Sequence, residues 1–196
     1  YVDKVKREVQ SGNQDELMFV VNAMTTNVTS FFRESHHFDD LKIHIENLAK
    51  TTNKVSIWCS ASSTGEEPWS IAMVAMECMN KIEGLSVDIT ASDLDSDVLQ
   101  KAVKAEYILE SEVVSAQPHL KKWLKHVGKV ENSIMNEEVF RVDDGLKHLV
   151  QFKQINLLKD WPHGVKHFHI IFCRNVIIYF SKDTQREIFS RMYKQL

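Results

Sequence analysis

Val55-Ser-Ile-Trp-Cys-Ser-Ala-Ser-Ser-Thr-Gly-Glu-Glu-Pro-Trp-Ser-Ile-Ala72 sets a strand, a loop and a helix start end to end. Val55 to Cys59 is short, β-branched and followed by polar residues, which predicts a strand. Pro68 suits the first turn of a helix, where its missing N–H costs nothing. Ile71, Ala72, Ala75, Cys78 and Met79 then recur at helical spacing and predict a buried stripe. Downstream the order repeats. Val87 to Ala91 predicts a second strand that Asp93 closes, and Val98, Leu99 and Ala102 continue on a helix. Phe168 to Cys173 is a third apolar run, as expected of a strand buried on both faces. Strand, loop and helix in alternation predict an α/β fold: a doubly wound, mostly parallel sheet with right-handed crossovers. Ser181 opens a last amphipathic helix, with Ile188, Phe189, Met192 and Leu196 on one side.

Upstream, residues 1–50 read as mostly helical, with Leu17, Val20, Val21 and Met24 spaced to bury one face. Asn27 to Ser30 interrupts that pattern. Between about 106 and 155 the rhythm changes. Lys121 to Lys129 predicts a basic helical stretch, read as a solvated face. Val139 to Val142 and Leu149 to Phe152 flank Asp-Asp-Gly145 and predict an antiparallel hairpin, inserted into the parallel fold at about 106–150. A doubly wound sheet usually continues past the position of Phe180, and the chain opens at Tyr1 rather than Met. The expectation is therefore a trimmed fragment that lacks a C-terminal piece, with completion of the sheet by another chain as the alternative.

Composition narrows the function classes. The chain has 43% hydrophobic and 26% charged residues, typical of a globular protein in water. No apolar run reaches the roughly 18 residues that span a bilayer. A net charge of −3 is too mild to make nucleic acid the main partner. Cys59, Cys78 and Cys173 form no C-x-x-C pair, which fits a reducing cytoplasm.

The loop Ser60 to Glu67 is the first candidate site, because a helix N-terminus presents free N–H groups and small residues let a ligand come close. Gly65 is its only glycine, so this is no dinucleotide fingerprint, and Glu66 and Glu67 would repel a pyrophosphate. A cationic or zwitterionic nucleoside suits them better; a capped helix start is the plain alternative. Asp93, at a strand end, can accept both ribose hydroxyls of a nucleoside, or it or Asp95 can cap the next helix. The Arg33 fork matches a carboxylate, although a lone Arg is commonly a surface ion pair. Asn156, Arg174 and Asn175 fall just past strand ends, the edge where open α/β sheets place ligands. Tyr179 ends an apolar run. His163, His167 and His169 lack a carboxylate or Cys to complete a metal site, so no metal is expected.

Together these segments resemble one family. Thr25-Thr-Asn-Val-Thr-Ser-Phe-Phe-Arg-Glu34 is similar to the T-T-N-x-T-x-F-F-R-E signature of chemotaxis receptor methyltransferases, the CheR family. Ser63 to Ala72 is similar to that family's S-T-G-E-E-P-Y-S-I-A loop, with Trp69 in place of Tyr. Ala91 to Asp95, Ile155 to Leu157 and Phe172 to Phe180 resemble further blocks in the same order. Ala105 stands where the family often has Gly.

The resemblance implies a class I methyltransferase, Rossmann-like fold: a donor domain over 51–196, and over 1–50 a helical remnant and donor-covering segment. It implies S-adenosylmethionine as donor, S-adenosylhomocysteine as product, and glutamate side chains on the cytoplasmic helices of chemoreceptors as acceptors. Asn27, Thr29, Arg33 and Glu67 would surround the methionine end and sulfonium, and Asp93 would hold the ribose. Asn156, Leu157, Arg174 and Asn175 would line the adenosine and donor pocket, with Arg33 and Tyr179 flanking the transferring methyl. The insertion grips a receptor's C-terminal tether peptide in some members. An acceptor carboxylate, ionised above its ordinary pKa of about 4.3, needs no general base. The competing readings are a signalling module that binds donor or product without catalysis, and a nucleotide-dependent oxidoreductase, which the missing glycine fingerprint disfavours.

Overall fold

The computed structural model describes residues 28–131, 136–159, 161 and 167–196. The predicted helical face of Leu17 to Met24 lies outside them, as do Asn27 and His163. The main sheet has four strands in the order β6-β2-β1-β7: β1 (Lys54–Cys59), β2 (Ser86–Asp93), β6 (Val150–Gln154) and β7 (Ile170–Phe172). Every pairing in it is parallel, with Ile57 opposite Ile89 on one side and Ile170 on the other. α1 (His36–Leu48) packs on α2 (Glu66–Met79), α2 on β2, and α3 (Ser96–Lys104) on β2 and β6.

Alternation along β1 shows why both sheet faces are covered. Val55, Ile57 and Cys59 join the larger core with Phe38, Leu41 and Ile45 of α1 and Ile71, Ala72 and Ala75 of α2. Trp58 points the other way, into a second cluster with Phe168 and with Ile188 and Met192 of α7 (Lys182–Tyr193). Phe189 and Leu196, expected on that buried side, are 50% and 59% exposed. The apolar stripe of α7 is thus narrower than its sequence suggested, and the helix ends before Leu196. β7 is short and only partly buried, with β1 as its one strand neighbour among the described residues, so it is no two-face-buried strand.

The second sheet has the order β3-β5-β4 and is antiparallel: β3 (Glu106–Glu110), β4 (Leu124–Lys129) and β5 (Glu137–Val142). Two short helices, α4 (Ser111–Ala116) and α5 (Pro118–Trp123), link β3 to β4. An antiparallel insertion is present, but two of its predicted parts are wrong. β5 and β6 form no hairpin. Asp143 caps a single helical turn, α6 (Asp144–Lys147), by accepting from the Gly145 N–H, and the chain then crosses to the parallel sheet. Lys121 to Lys129 is not one helix either, because β4 begins at Leu124. Lys125 and Lys129 lie on an edge strand, where lysine discourages further pairing. Lys125 pairs with Asp143 at 2.8 Å, and Lys121, Lys122, Lys125 and Lys129 are all exposed, as expected of a solvated face.

Three local features account for residues singled out in the sequence, two of them departures from the family pattern. Trp69 is buried, donates its indole N–H to the Ala102 carbonyl at 3.1 Å and packs on Phe152. Ala105 closes α3 in the left-handed region at φ 56°, the conformation in which a glycine is at ease. Gly65 caps the start of α2 at φ 101°, and a Cβ there would lie 2.7 Å from the Tyr107 hydroxyl and 2.8 Å from Ala102 Cβ. Gly65→Ala is therefore expected to destabilise the fold by roughly 2–4 kcal/mol in urea unfolding, through backbone strain and overpacking together. A loss under about 0.5 kcal/mol would show that the loop yields freely.

Candidate functional site

All four parallel strands end at one sheet edge, and the loops leaving them surround a cleft of about 610 Å³. Thr29 and Arg33 come from the segment before α1, Glu67 from the first turn of α2, and Asp93 from the end of β2. Asn156 and Leu157 follow β6, while Arg174, Asn175 and Tyr179 follow β7. Every described candidate thus lines one cavity; Asn27 lies outside the described residues. Glu66, expected to add charge beside Glu67, does not line it and accepts from the Thr64 hydroxyl instead.

Arg174 organises the centre. Its guanidinium donates to Glu67 Oε2 at 2.6 Å, to the Arg33 carbonyl at 2.6 Å and to Glu34 Oε2 at 3.1 Å. The paired side chains of Arg174 and Glu67 are only 11% and 12% exposed. Burial pushes the Glu67 carboxyl above its ordinary range, and the Arg174 charge opposes that rise. Burial raises the Cys59 thiol as well, keeping an S–H that donates to Glu67 Oε1 at 3.3 Å. The hydrogen bond from Arg174 holds Glu34 below the usual carboxylate range.

The turn carrying Arg33 is strained. Phe32 and Glu34, on either side of it, sit at φ 51° and 57°, and Asn175 beside Arg174 at φ 54°. A non-glycine residue there costs roughly 1–3 kcal/mol, which only fixed surroundings sustain. The Phe32 N–H donates to Ser70 Oγ of α2, and the Phe31 ring packs edge-on against Tyr107 at 4.8 Å. Arg33 itself donates to the Val28 carbonyl at 2.9 Å and makes no surface ion pair among the described contacts.

Asp93 does two jobs at the edge. Its Oδ2 accepts from the Ser63 N–H at 2.8 Å and its Oδ1 from the Asp95 N–H at 3.1 Å, tying the glycine loop to the end of β2. Asp95, not Asp93, caps α3. Burial raises the Asp93 carboxyl. Asn156 Oδ1 accepts from the Leu158 N–H, fixing the turn after β6. Leu157 is buried in the second cluster, and Tyr179 is 62% exposed at the cleft rim. His169 pins β7 to β1, its Nδ1 accepting from the Ser56 N–H. Among the described residues no group of three or more His, Cys, Asp or Glu could hold a metal ion.

Sequence reading missed Glu34 and Cys59 as partners of Arg174 and Glu67. Glu34 lay inside a quoted motif, but nothing local reveals a contact made from the far end of the chain. It also missed Tyr107, whose hydroxyl donates to the Thr64 carbonyl at 2.9 Å and so supports the loop.

Removing one partner of a buried pair leaves a charge unsolvated, at a cost of about 3–5 kcal/mol. Arg174→Met is expected to lose about 3 kcal/mol in urea unfolding when the Glu67 carboxyl is ionised. Without the guanidinium the Glu67 value rises further. The loss should therefore shrink as pH falls through that value, since a neutral carboxyl needs no counter-charge. A loss that stays the same on acidification would contradict this role for Glu67.

Comparison with known proteins agrees with these observations. The profile of a family described as "CheR methyltransferase, SAM binding domain" matches residues 27–196. A chemotaxis protein methyltransferase 2 from Pseudomonas aeruginosa is 41% identical over 90% of this chain and 61% of its own length. A probable chemotaxis protein methyltransferase from Rhizobium etli is 38% identical, covering 88% and 63%. A chemotaxis protein methyltransferase from Salmonella typhimurium is 37% identical, covering 91% and 59%. The chain thus spans about three fifths of the length of these relatives. With the parallel sheet, the antiparallel insertion and the matched span together, the chain belongs to the CheR methyltransferase family, in its S-adenosylmethionine-binding domain.

Proposed function

We propose that this chain is the donor-binding and methyl-transferring part of a protein-glutamate O-methyltransferase acting on chemoreceptors in the cytoplasm. The observation that carries the reading is the convergence on one cleft of Arg33, Glu67, Asp93, Arg174 and Tyr179, from segments scattered along the chain. The donor fits what lines that cleft. A volume of about 610 Å³ lies in the range that encloses a ligand of nucleoside size. Two partly buried carboxylates suit a cation, and among the described residues the buried Arg174 Nε has no hydrogen-bond partner, leaving a donor for a ligand carboxylate.

Bound S-adenosylmethionine supplies a methyl group made electrophilic by the sulfonium. Glu67 sets negative charge beside the site of that cation, and Asp93 accepts from ribose hydroxyls at the sheet edge. Arg33 receives the acceptor carboxylate and orients it, while the exposed Tyr179 ring closes the outer side. A carboxylate and a sulfonium would neutralise one another in the transfer, a loss of charge that a drier site would favour, and alignment would supply much of the rest. The chain provides orientation and electrostatics rather than a base. Receptor helices are the acceptor, and a receptor's C-terminal tether peptide would add a strand to an open edge of the β3-β5-β4 sheet. No described helix is long and apolar enough to cross a membrane.

A transfer assay with radiolabelled donor and receptor cytoplasmic fragments tests this in the intact protein. Arg33→Ala is expected to lower turnover by about 100-fold while S-adenosylhomocysteine binding survives within severalfold. Turnover equal to the parent would remove Arg33 from the mechanism. The pH dependence follows from Glu67 and Asp93. Burial raises both, so donor affinity should fall on acidification before the ordinary carboxylate range is reached. Affinity that holds through that range would mean neither carboxylate acts as an ion.

A further inference from the structure

The antiparallel insertion touches the strained Arg33 turn directly. His119, near the start of α5 in the insertion, stacks its ring on Phe32 at 4.8 Å with the planes 22° apart. His119 Nδ1 also lies 3.0 Å from Glu77 of α2, the helix whose first turn holds Glu67. Phe38 contacts the Phe32 ring in a T-shaped arrangement at 5.0 Å, and the Phe32 N–H is held by Ser70. Phe32 cannot keep φ 51° unless its surroundings hold it there, and the next residue in the chain is Arg33.

We propose that His119 is a positioning residue: by stacking on Phe32 it holds the Phe32–Glu34 turn, and so the Arg33 side chain, in the place that methyl transfer needs. The proposal rests on the transferase reading given above, to which it adds a role for the insertion inside the active site. It makes the contact aromatic rather than ionic. The ring holds Phe32, while the Glu77 contact places the ring.

The test compares His119→Ala, His119→Gln and His119→Phe in the intact protein. Alanine and glutamine lose the stack, whereas phenylalanine keeps it and loses the Glu77 contact. Alanine and glutamine are expected to lower kcat by about 10-fold or more while the KM for S-adenosylmethionine stays within about twofold, because a displaced catalytic group affects the chemical step. Phenylalanine should restore most of the turnover. Parent-like turnover for alanine, a rise in donor KM that matches the loss of kcat, or rescue by glutamine instead of phenylalanine would each overturn the proposal. Hydrogen exchange of the ligand-free protein gives a readout independent of transfer: amides of Phe32 and Arg33 should exchange faster in His119→Ala, with those of β1 unchanged. If the parent transfers no methyl group, the functional reading fails while this exchange comparison still decides the contact. Unchanged exchange at Phe32 would overturn it.

Discussion

A guanidinium that is nearly buried must direct its donors at nearby acceptors, and Arg174 directs them at segments that start far apart in the chain. It reaches Glu67 at the head of α2 and both the Arg33 carbonyl and the Glu34 carboxylate in the turn before α1. Its own position follows from β7, whose pairing with β1 brings Phe172 beside Cys59. One side chain therefore fixes the relative placement of three loops at the sheet edge. The left-handed residues around it, Phe32, Glu34 and Asn175, are the conformational cost of that convergence.

The charge arrangement explains what such a cleft can accept. Glu67 carries a raised value because it is buried, yet the Arg174 contact keeps its ionised form accessible. Asp93 is likewise raised, and backbone N–H groups from Ser63 and Asp95 support its ionised form. A polyanion would meet two carboxylates here, whereas a zwitterionic nucleoside with a cationic sulfur would find complementary groups. The family membership and the electrostatics point the same way on independent grounds.

Much of the frame was legible in residue order, because it rests on local signals. Val55 to Cys59 and Val87 to Ala91 are strands, and Pro68 and Asp93 sit where helix-start and strand-end chemistry set them. The misreadings were of a different kind. Asp143-Asp-Gly145 correctly marks a break, but a turn signal does not say which strands pair across it, and β5 finds β3 and β4 while β6 joins β2. Lys121 to Lys129 looks helical in charge spacing, yet Leu124 and the edge position decide otherwise. Within the site, the lining residues were readable from strand ends and motif resemblance. Their mutual contacts were not, since Glu34 with Arg174 and Phe32 with His119 pair residues that no local pattern links.

The account stands on the cleft at this sheet edge being a receptacle for a sulfur-containing nucleoside. Calorimetric titration with S-adenosylhomocysteine, run beside NAD, tests that most directly. Saturable heat with S-adenosylhomocysteine, weakened at least 10-fold in Asp93→Ala and absent with NAD, is the predicted result. Saturable heat with NAD alone, or S-adenosylhomocysteine affinity indifferent to Asp93, would contradict it.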